Sequence, residues 1–264
     1  MITGIINATV LVGVVGLFVG LFLGIAGIKF KVKVDAREEK VLNALPGNNC
    51  GGCGYPGCSG LASAIVKGDA PVNACPVGGE PVGKKIGKIM GVEAETSTKM
   101  VAFVKCQGDC DKTRNDYEYY GIEDCRMLGF VPNGGPKSCN FGCLGYGSCV
   151  KVCPFDAIHV ENGLARVDKE KCKACGKCIA VCPKNLIELV PYDSRIKVAC
   201  SSRDKGPAVM KACDVGCIGC SLCARNCPMV AIEVKDSLAK IDYEKCVQCN
   251  TCLEKCPKKA IISE

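Results

Sequence analysis

The chain is 264 residues long and carries 25 cysteines, 7 Phe, 7 Tyr and no Trp. A length of this order holds roughly one to three small domains, and so few aromatics leave a thin conventional core, so metal centres must act as the cores of small, loop-rich modules. The net charge of +7 is spread without a dense basic stripe or interleaved aromatics, which argues against a nucleic-acid surface; it either steers acidic protein partners or reflects ordinary solvated lysines.

Met1 to Ile28 carries no charged side chain. Ile5 to Ile28 would measure roughly 36 Å as a helix, enough to cross a bilayer. Lys29, Lys31, Lys33 and Arg37 follow at once, and the positive-inside rule puts this flank, and all that comes after, in the cytoplasm. A signal peptide would need a basic stretch before a shorter apolar core. None precedes this run, so residues 1–28 are expected to be an uncleaved single-pass anchor in the cell membrane. Gly16, Gly20 and Gly24 share one helix face. That face is either a docking seam for other membrane helices or a sign that Gly is common in membrane spans.

Residues 29–46 read as a juxtamembrane linker, with a short amphipathic helix over Asp35 to Leu45. Residues 47–80 form a small [4Fe–4S] domain: Cys50, Cys53 and Cys58 stand in the glycine-rich loop CGGCGYPGC, a helix is expected over Gly60 to Lys67, and Cys75 returns before Pro76. Glycine lets backbone wrap a cluster closely and turn N–H groups toward sulfur. Residues 81–135 are expected to be a linker and a cysteine-containing middle segment, with Lys84, Lys85 and Lys88 solvated.

An internal repeat governs the rest. A shift of 74 residues places Cys143, Cys149 and Cys153 on Cys217, Cys223 and Cys227, and Cys172, Cys175, Cys178 and Cys182 on Cys246, Cys249, Cys252 and Cys256. Two tandem modules result, over 136–190 and 191–264. Residues 157–160 and 164–167 flank Asn162-Gly163 as a hairpin pattern, repeated at 231–234 and 238–241. His159 is expected to be structural.

The run C-x2-C-x2-C-x3-C-P is a ferredoxin spacing. A secreted disulfide framework is disfavoured by the odd count and this spacing. Zinc is disfavoured because four-cysteine zinc sites usually pair two C-x2-C knuckles. A reducing compartment follows. In two-cluster ferredoxins the Cys before Pro serves the other cluster. The expected sets are Cys50, Cys53, Cys58 and Cys75; Cys217, Cys220, Cys223 and Cys256; Cys246, Cys249, Cys252 and Cys227; and Cys172, Cys175, Cys178 and Cys153. Tyr146 stands opposite Cys220, where the repeat calls for cysteine, so Cys139 is assigned with Cys143, Cys149 and Cys182 as the fifth set. Cys106, Cys110, Cys125, Cys200 and Cys213 remain. They either supply a sixth cluster, from Cys106, Cys110 and Cys125 with Cys200 or Cys213, or are buried thiols acting as small hydrophobes. Val104-Lys105-Cys106 resembles Val198-Ala199-Cys200, which hints that the duplication reaches further upstream.

No G-x-G-x-x-G follows a strand, no segment resembles a covalent flavin site, and no catalytic constellation stands near the cysteines. The expected fold class is α+β: a single N-terminal transmembrane helix, a small [4Fe–4S] domain, then tandem bacterial-ferredoxin-like modules.

The apolar anchor, the CGGCGYPGC block and the tandem modules together resemble the B subunit of the Rnf complex, over essentially the whole chain. The stretch from Tyr117 to Cys153 is similar to the form in anaerobic bacteria. The resemblance implies an electron-transfer subunit of a membrane-bound, Na⁺- or H⁺-pumping ferredoxin:NAD⁺ oxidoreductase. It implies soluble ferredoxin as donor, other Rnf subunits as partners and holders of NAD and flavin, and no catalytic residue in this chain. The alternatives are a polyferredoxin subunit of a hydrogenase or formate-linked complex, and an iron–sulfur sensor or assembly protein.

Overall fold

The computed structural model describes residues 2–29, 35–94 and 98–264. In chain order its elements are α1 (Ile2–Lys29), α2 (Ala36–Ala44), α3 (Gly57–Lys67), α4 (Gly79–Met90), β1 (Met100–Val104), α5 (Ser148–Lys151), β2 (Ile158–Glu161), β3 (Leu164–Val167), α6 (Lys177–Val181), β4 (Ile187–Pro191), β5 (Ile196–Val198), α7 (Gly206–Ala212), α8 (Leu222–Arg225), β6 (Ile232–Lys235), β7 (Leu238–Ile241), α9 (Thr251–Lys255) and β8 (Ile261–Ser263).

Helix α1 is apolar on every side. Its segment Val10–Lys29 has a mean hydropathy of 2.6, and none of it is buried within the chain. A helix hydrophobic all round needs lipid or other helices around it, and α1 is by length and composition consistent with membrane association. A Cβ added at Gly16, Gly20 or Gly24 would meet nothing within 4 Å beyond the helix's own backbone among the described residues. Lys31 and Lys33, half of the expected basic flank, lie outside the described residues.

The next unit is small and helical. The Asp35 carboxylate accepts from the Arg37 amide at 2.8 Å and caps α2. Val41 of α2, Leu61 and Ile65 of α3 and Ile86 of α4 are buried together. Here the structure departs from the sequence expectation. The stretch from residue 81, expected to begin a linker, is the body of α4. Val82, Ile86, Ile89 and Met90 recur at helical spacing and pack on this core, while Lys84, Lys85 and Lys88 are exposed opposite. Gly87 allows the close fold-back, since a Cβ there would lie 2.6 Å from the Val92 carbonyl oxygen.

The two modules repeat backbone by backbone. Hairpins β2–β3 and β6–β7 pair Ile158 with Val167 and Ile232 with Ile241. Their turns, Asn162-Gly163 and Asp236-Ser237, have positive φ at both central residues, as a tight hairpin with right-handed twist requires. Positive φ recurs at Ala174 and Gln248, at Gly176 and Asn250, and at Gly145 and Gly219, each pair 74 residues apart. Strand β1 closes module one by pairing with β4, and β5 closes module two by pairing with β8. The duplication therefore begins upstream, at β1. Between Cys106 and Cys139 lie twenty residues more than between Cys200 and Cys213.

The modules are joined, not strung on a linker. The Asp214 amide donates to the Lys112 carbonyl at 2.9 Å, the Arg114 amide to Ala212 at 3.1 Å, and the Gln107 side-chain amide to the Lys259 carbonyl.

Candidate iron–sulfur centres

None of the 25 cysteines is in a disulfide. Twenty fall in five groups of four, Cys53, Cys58 and Cys75 form a further group, and Cys50 lies beside Cys175.

In the helical unit Cys53 and Cys58 face Cys75, whose thiol burial pushes up and whose sulfur accepts from the Gly78 amide at 3.3 Å. The Asn49 side chain accepts from the Cys58 amide at 2.8 Å and so pins the loop. In module one Cys178 faces Cys172, Cys175 and Cys153; burial and these neighbours push its thiol up to about 12. The Ala102 amide points at Cys172 sulfur and the Ala157 amide at Cys153 sulfur, both at 3.4 Å. In module two, Cys217, Cys220, Cys223 and Cys256 line one cavity, and Cys227, Cys246, Cys249 and Cys252 another. The Ala260 amide donates to Cys256 sulfur at 3.3 Å and the Ala231 amide to Cys227 sulfur at 3.4 Å.

Two groups differ from the sequence reading. The cavity that holds Cys143, Cys149 and Cys182 takes Cys125 as its fourth thiol, not Cys139. The twenty extra residues carry Cys125 back over α5. Its amide donates to Ser148 Oγ at 2.8 Å, and Ser148 donates to the Asp124 carboxylate at 2.8 Å. The Arg126 guanidinium holds that carboxylate well below the usual range. Tyr146, at the position where the repeat expects cysteine, turns edge-on to Tyr119 instead, with ring centroids 5.8 Å apart.

Cys139 lies in a separate cavity with Cys106, Cys200 and Cys213. Each module contributes two of these four thiols. Cys106, Cys110 and Cys125, grouped together on sequence, are thus separated. Cys110 is exposed beside the Asn162–Gly163 turn and joins no group among the described residues. The sequence did carry a signal for this site: Cys139 aligns with Cys213 at the 74-residue shift, and Val104-Lys105-Cys106 matches Val198-Ala199-Cys200. Each module holds one copy of a two-cysteine half.

The empty space in this shared cavity, about 440 Å³, is close to the 410, 390 and 330 Å³ of three other cavities that are each lined by four cysteines. Among the described residues no three His, Cys, Asp or Glu side chains close on a single ion. Four cysteine thiols lining one cavity are the ligand set that an iron–sulfur cluster takes. Burial pushes Cys149 and Cys200 up to about 12 and Cys223 to about 11. Left bare they stay protonated at neutral pH, and only a bound metal draws them into the thiolate form. Backbone amides aimed at the sulfurs offset that charge.

His159 is exposed on β2, 3.9 Å from Asp156, and reaches no thiol group among the described residues.

Comparison with known proteins agrees with this chemistry. Residues 45–77 match an Fe-S cluster family, 136–193 the LdpA Fe-S cluster-binding domain and 216–261 the 4Fe-4S dicluster domain. The chain is similar to the B subunit of the Na(+)-translocating ferredoxin:NAD(+) oxidoreductase complex of Acetobacterium woodii, with 48% identity over 93% of this chain and 74% of that protein. It is 43% identical to the B subunit of the ion-translocating oxidoreductase complex of Methanosarcina acetivorans, over 97% of both chains. Its identity to the B subunit of the proton-translocating ferredoxin:NAD(+) oxidoreductase complex of Clostridium ljungdahlii is 42%, over 90% of this chain and 84% of the other. With an apolar N-terminal helix, iron–sulfur domains and this similarity along nearly its whole length, the chain belongs to the family of B subunits of Rnf-type ion-translocating oxidoreductase complexes, as an iron–sulfur electron-transfer subunit.

Proposed function

We propose that this chain binds six [4Fe–4S] clusters and relays electrons from reduced soluble ferredoxin to other subunits of a ferredoxin:NAD⁺ oxidoreductase, on the cytoplasmic side of the membrane. The ligands are Cys50, Cys53, Cys58 and Cys75; Cys153, Cys172, Cys175 and Cys178; Cys125, Cys143, Cys149 and Cys182; Cys106, Cys139, Cys200 and Cys213; Cys217, Cys220, Cys223 and Cys256; and Cys227, Cys246, Cys249 and Cys252. When bound, such clusters accept and release single electrons at low potential.

One observation carries this reading: the six thiol groups adjoin in an unbroken order. Cys50 faces Cys175. Cys149 and Cys153 lie a turn apart around α5. Cys143 lies beside Cys106. The Cys217 amide donates to Cys200 sulfur at 3.3 Å, and Cys223 and Cys227 flank the end of α8. The series starts at the Cys50 loop and ends at Cys249. Aliphatic side chains such as Leu164, Leu186 and Ile261 keep water from the sulfurs. The sequence carries no nucleotide-binding motif, so NAD and the Na⁺ or H⁺ path fall to neighbouring subunits.

Iron and acid-labile sulfide analysis of anaerobically purified protein tests the reading, together with its reduction by ferredoxin. About 24 iron atoms per chain are expected. A value near eight, or no reduction by ferredoxin, would overturn it.

A further inference from the structure

The internal repeat compares one cluster loop in two settings. Cys175 of module one and Cys249 of module two are equivalent, and their loops share the same left-handed residues. In module one another thiol loop covers this position. Gly52 packs so closely on Cys175 that a Cβ there would lie 2.6 Å from its carbonyl oxygen and 2.9 Å from its Cα. Cys175 is half-buried and Cys172 buried. In module two nothing among the described residues covers it. Cys249 is exposed and Cys246 half-buried.

The side chains around the uncovered loop have changed in kind. Asp156, which is ion-paired with Lys171 at 3.4 Å, is replaced at its equivalent position by Val230. Lys173 is replaced by Val247, and Phe155, packed on the core, by Met229. Val230, Val247 and Met229 are 79%, 58% and 47% exposed. Met229 and Val247 line the same cavity as Cys249. Where module one carries charges, module two presents an apolar rim around its most accessible thiol. Such a patch marks an interaction surface.

We propose that the Met229–Val230–Val247 face is the docking site of a soluble iron–sulfur electron carrier, whose cluster loop sits on Cys249 as the Gly52 loop sits on Cys175. This rests on the reading of the chain as an electron relay, and it adds where the electron enters. One electron leaves the carrier's reduced cluster and arrives on the cluster held by Cys227, Cys246, Cys249 and Cys252. No bond forms or breaks, and no proton moves. An apolar contact suits this exchange because it excludes water between the two clusters and leaves a fast off-rate to a small interface.

The test restores the charges of module one in the full-length holoprotein, as Val230→Asp with Val247→Lys, and uses Met229→Gln as a milder second variant. Anaerobic stopped-flow measures reduction by a pre-reduced two-[4Fe–4S] ferredoxin and, separately, by dithionite. With each rate divided by the same variant's dithionite rate and iron content, the second-order rate constant with ferredoxin is expected to fall at least tenfold in the double variant and by a smaller factor in Met229→Gln. Equal rates in wild type and both variants would overturn the docking site while leaving the relay intact. A wild-type chain that ferredoxin does not reduce would overturn the relay itself. A wild-type dimer in sedimentation that the double variant converts to monomer would assign the face to a second copy of this chain and likewise overturn the proposal.

Discussion

The Lys137 ammonium, buried to 5% exposure, donates to the Gly163 carbonyl at 2.9 Å and to that of Gly108 at 3.2 Å. Gly108 borders the cavity shared by the modules, and Gly163 packs on Gly145 in the Cys143 loop. Burial pushes the Cys106 and Cys143 thiols up, and the Lys137 charge pulls both the other way. One fixed cation therefore stands between two cluster sites. Replacing it by an uncharged side chain, Lys137→Met, removes attraction for an added electron. Reductive titration followed by EPR should show the potentials of these two sites move negative, on the order of 59 mV for a tenfold change in the reduced fraction. Lys137→Arg should keep most of the wild-type value. Unmoved potentials in the methionine variant would refute this tuning role.

The contact of Gly52 with Cys175 leaves no room for a side chain. Gly52→Ala must push the helical unit off module one. The expected result is unchanged iron content with weaker magnetic coupling between the two adjoining reduced clusters. Coupling as strong as in the wild type would mean that the two loops do not meet in solution.

Cys125 and Cys139 serve different cavities. Cys125→Ser should damage the cluster of Cys143, Cys149 and Cys182, and Cys139→Ser the cluster shared between modules. Each change should lower iron by up to about four atoms. Mössbauer or EPR spectra in which Cys139→Ser erases the Cys143 signal would restore the assignment drawn from the repeat alone.

Helix α4 tests the helical unit. Ile86 is fully buried, and Ile86→Ala should cost about 2–5 kcal/mol. The exposed neighbour Lys85→Ala should stay within about 0.5 kcal/mol of wild type. Thermal unfolding of anaerobic samples makes the comparison. A silent Ile86→Ala would mean that this stretch is the loose linker its composition suggests.

Much of this molecule is written in local spacing. The anchor, the hairpins around Asn162-Gly163 and Asp236-Ser237 and the left-handed cluster loops follow from charge, turn chemistry and cysteine intervals over a few residues. Helix α4 was hidden because three glycines and three lysines mask its apolar face, which only a helical count through Val82, Ile86 and Ile89 recovers. The place of Cys125 was hidden for a different reason. It enters through an insertion that has no counterpart in the second module, so no alignment of the repeat could pair it. Cys139 then looked like the nearest substitute in the chain, while its partner Cys213 was in view at the same 74-residue offset. Contacts between modules are long-range, and spacing alone does not report them.

The cavity fed by Cys106, Cys139, Cys200 and Cys213 has a practical consequence for anyone who dissects this chain. The boundary at residue 190 that the repeat marks is no place to cut. A fragment starting there keeps two of the four sulfurs and loses the other two, so it would carry a half-finished centre on a raw apolar surface. During synthesis, too, the centre can be completed only once residue 213 has left the ribosome, which ties the second half of the chain to the first.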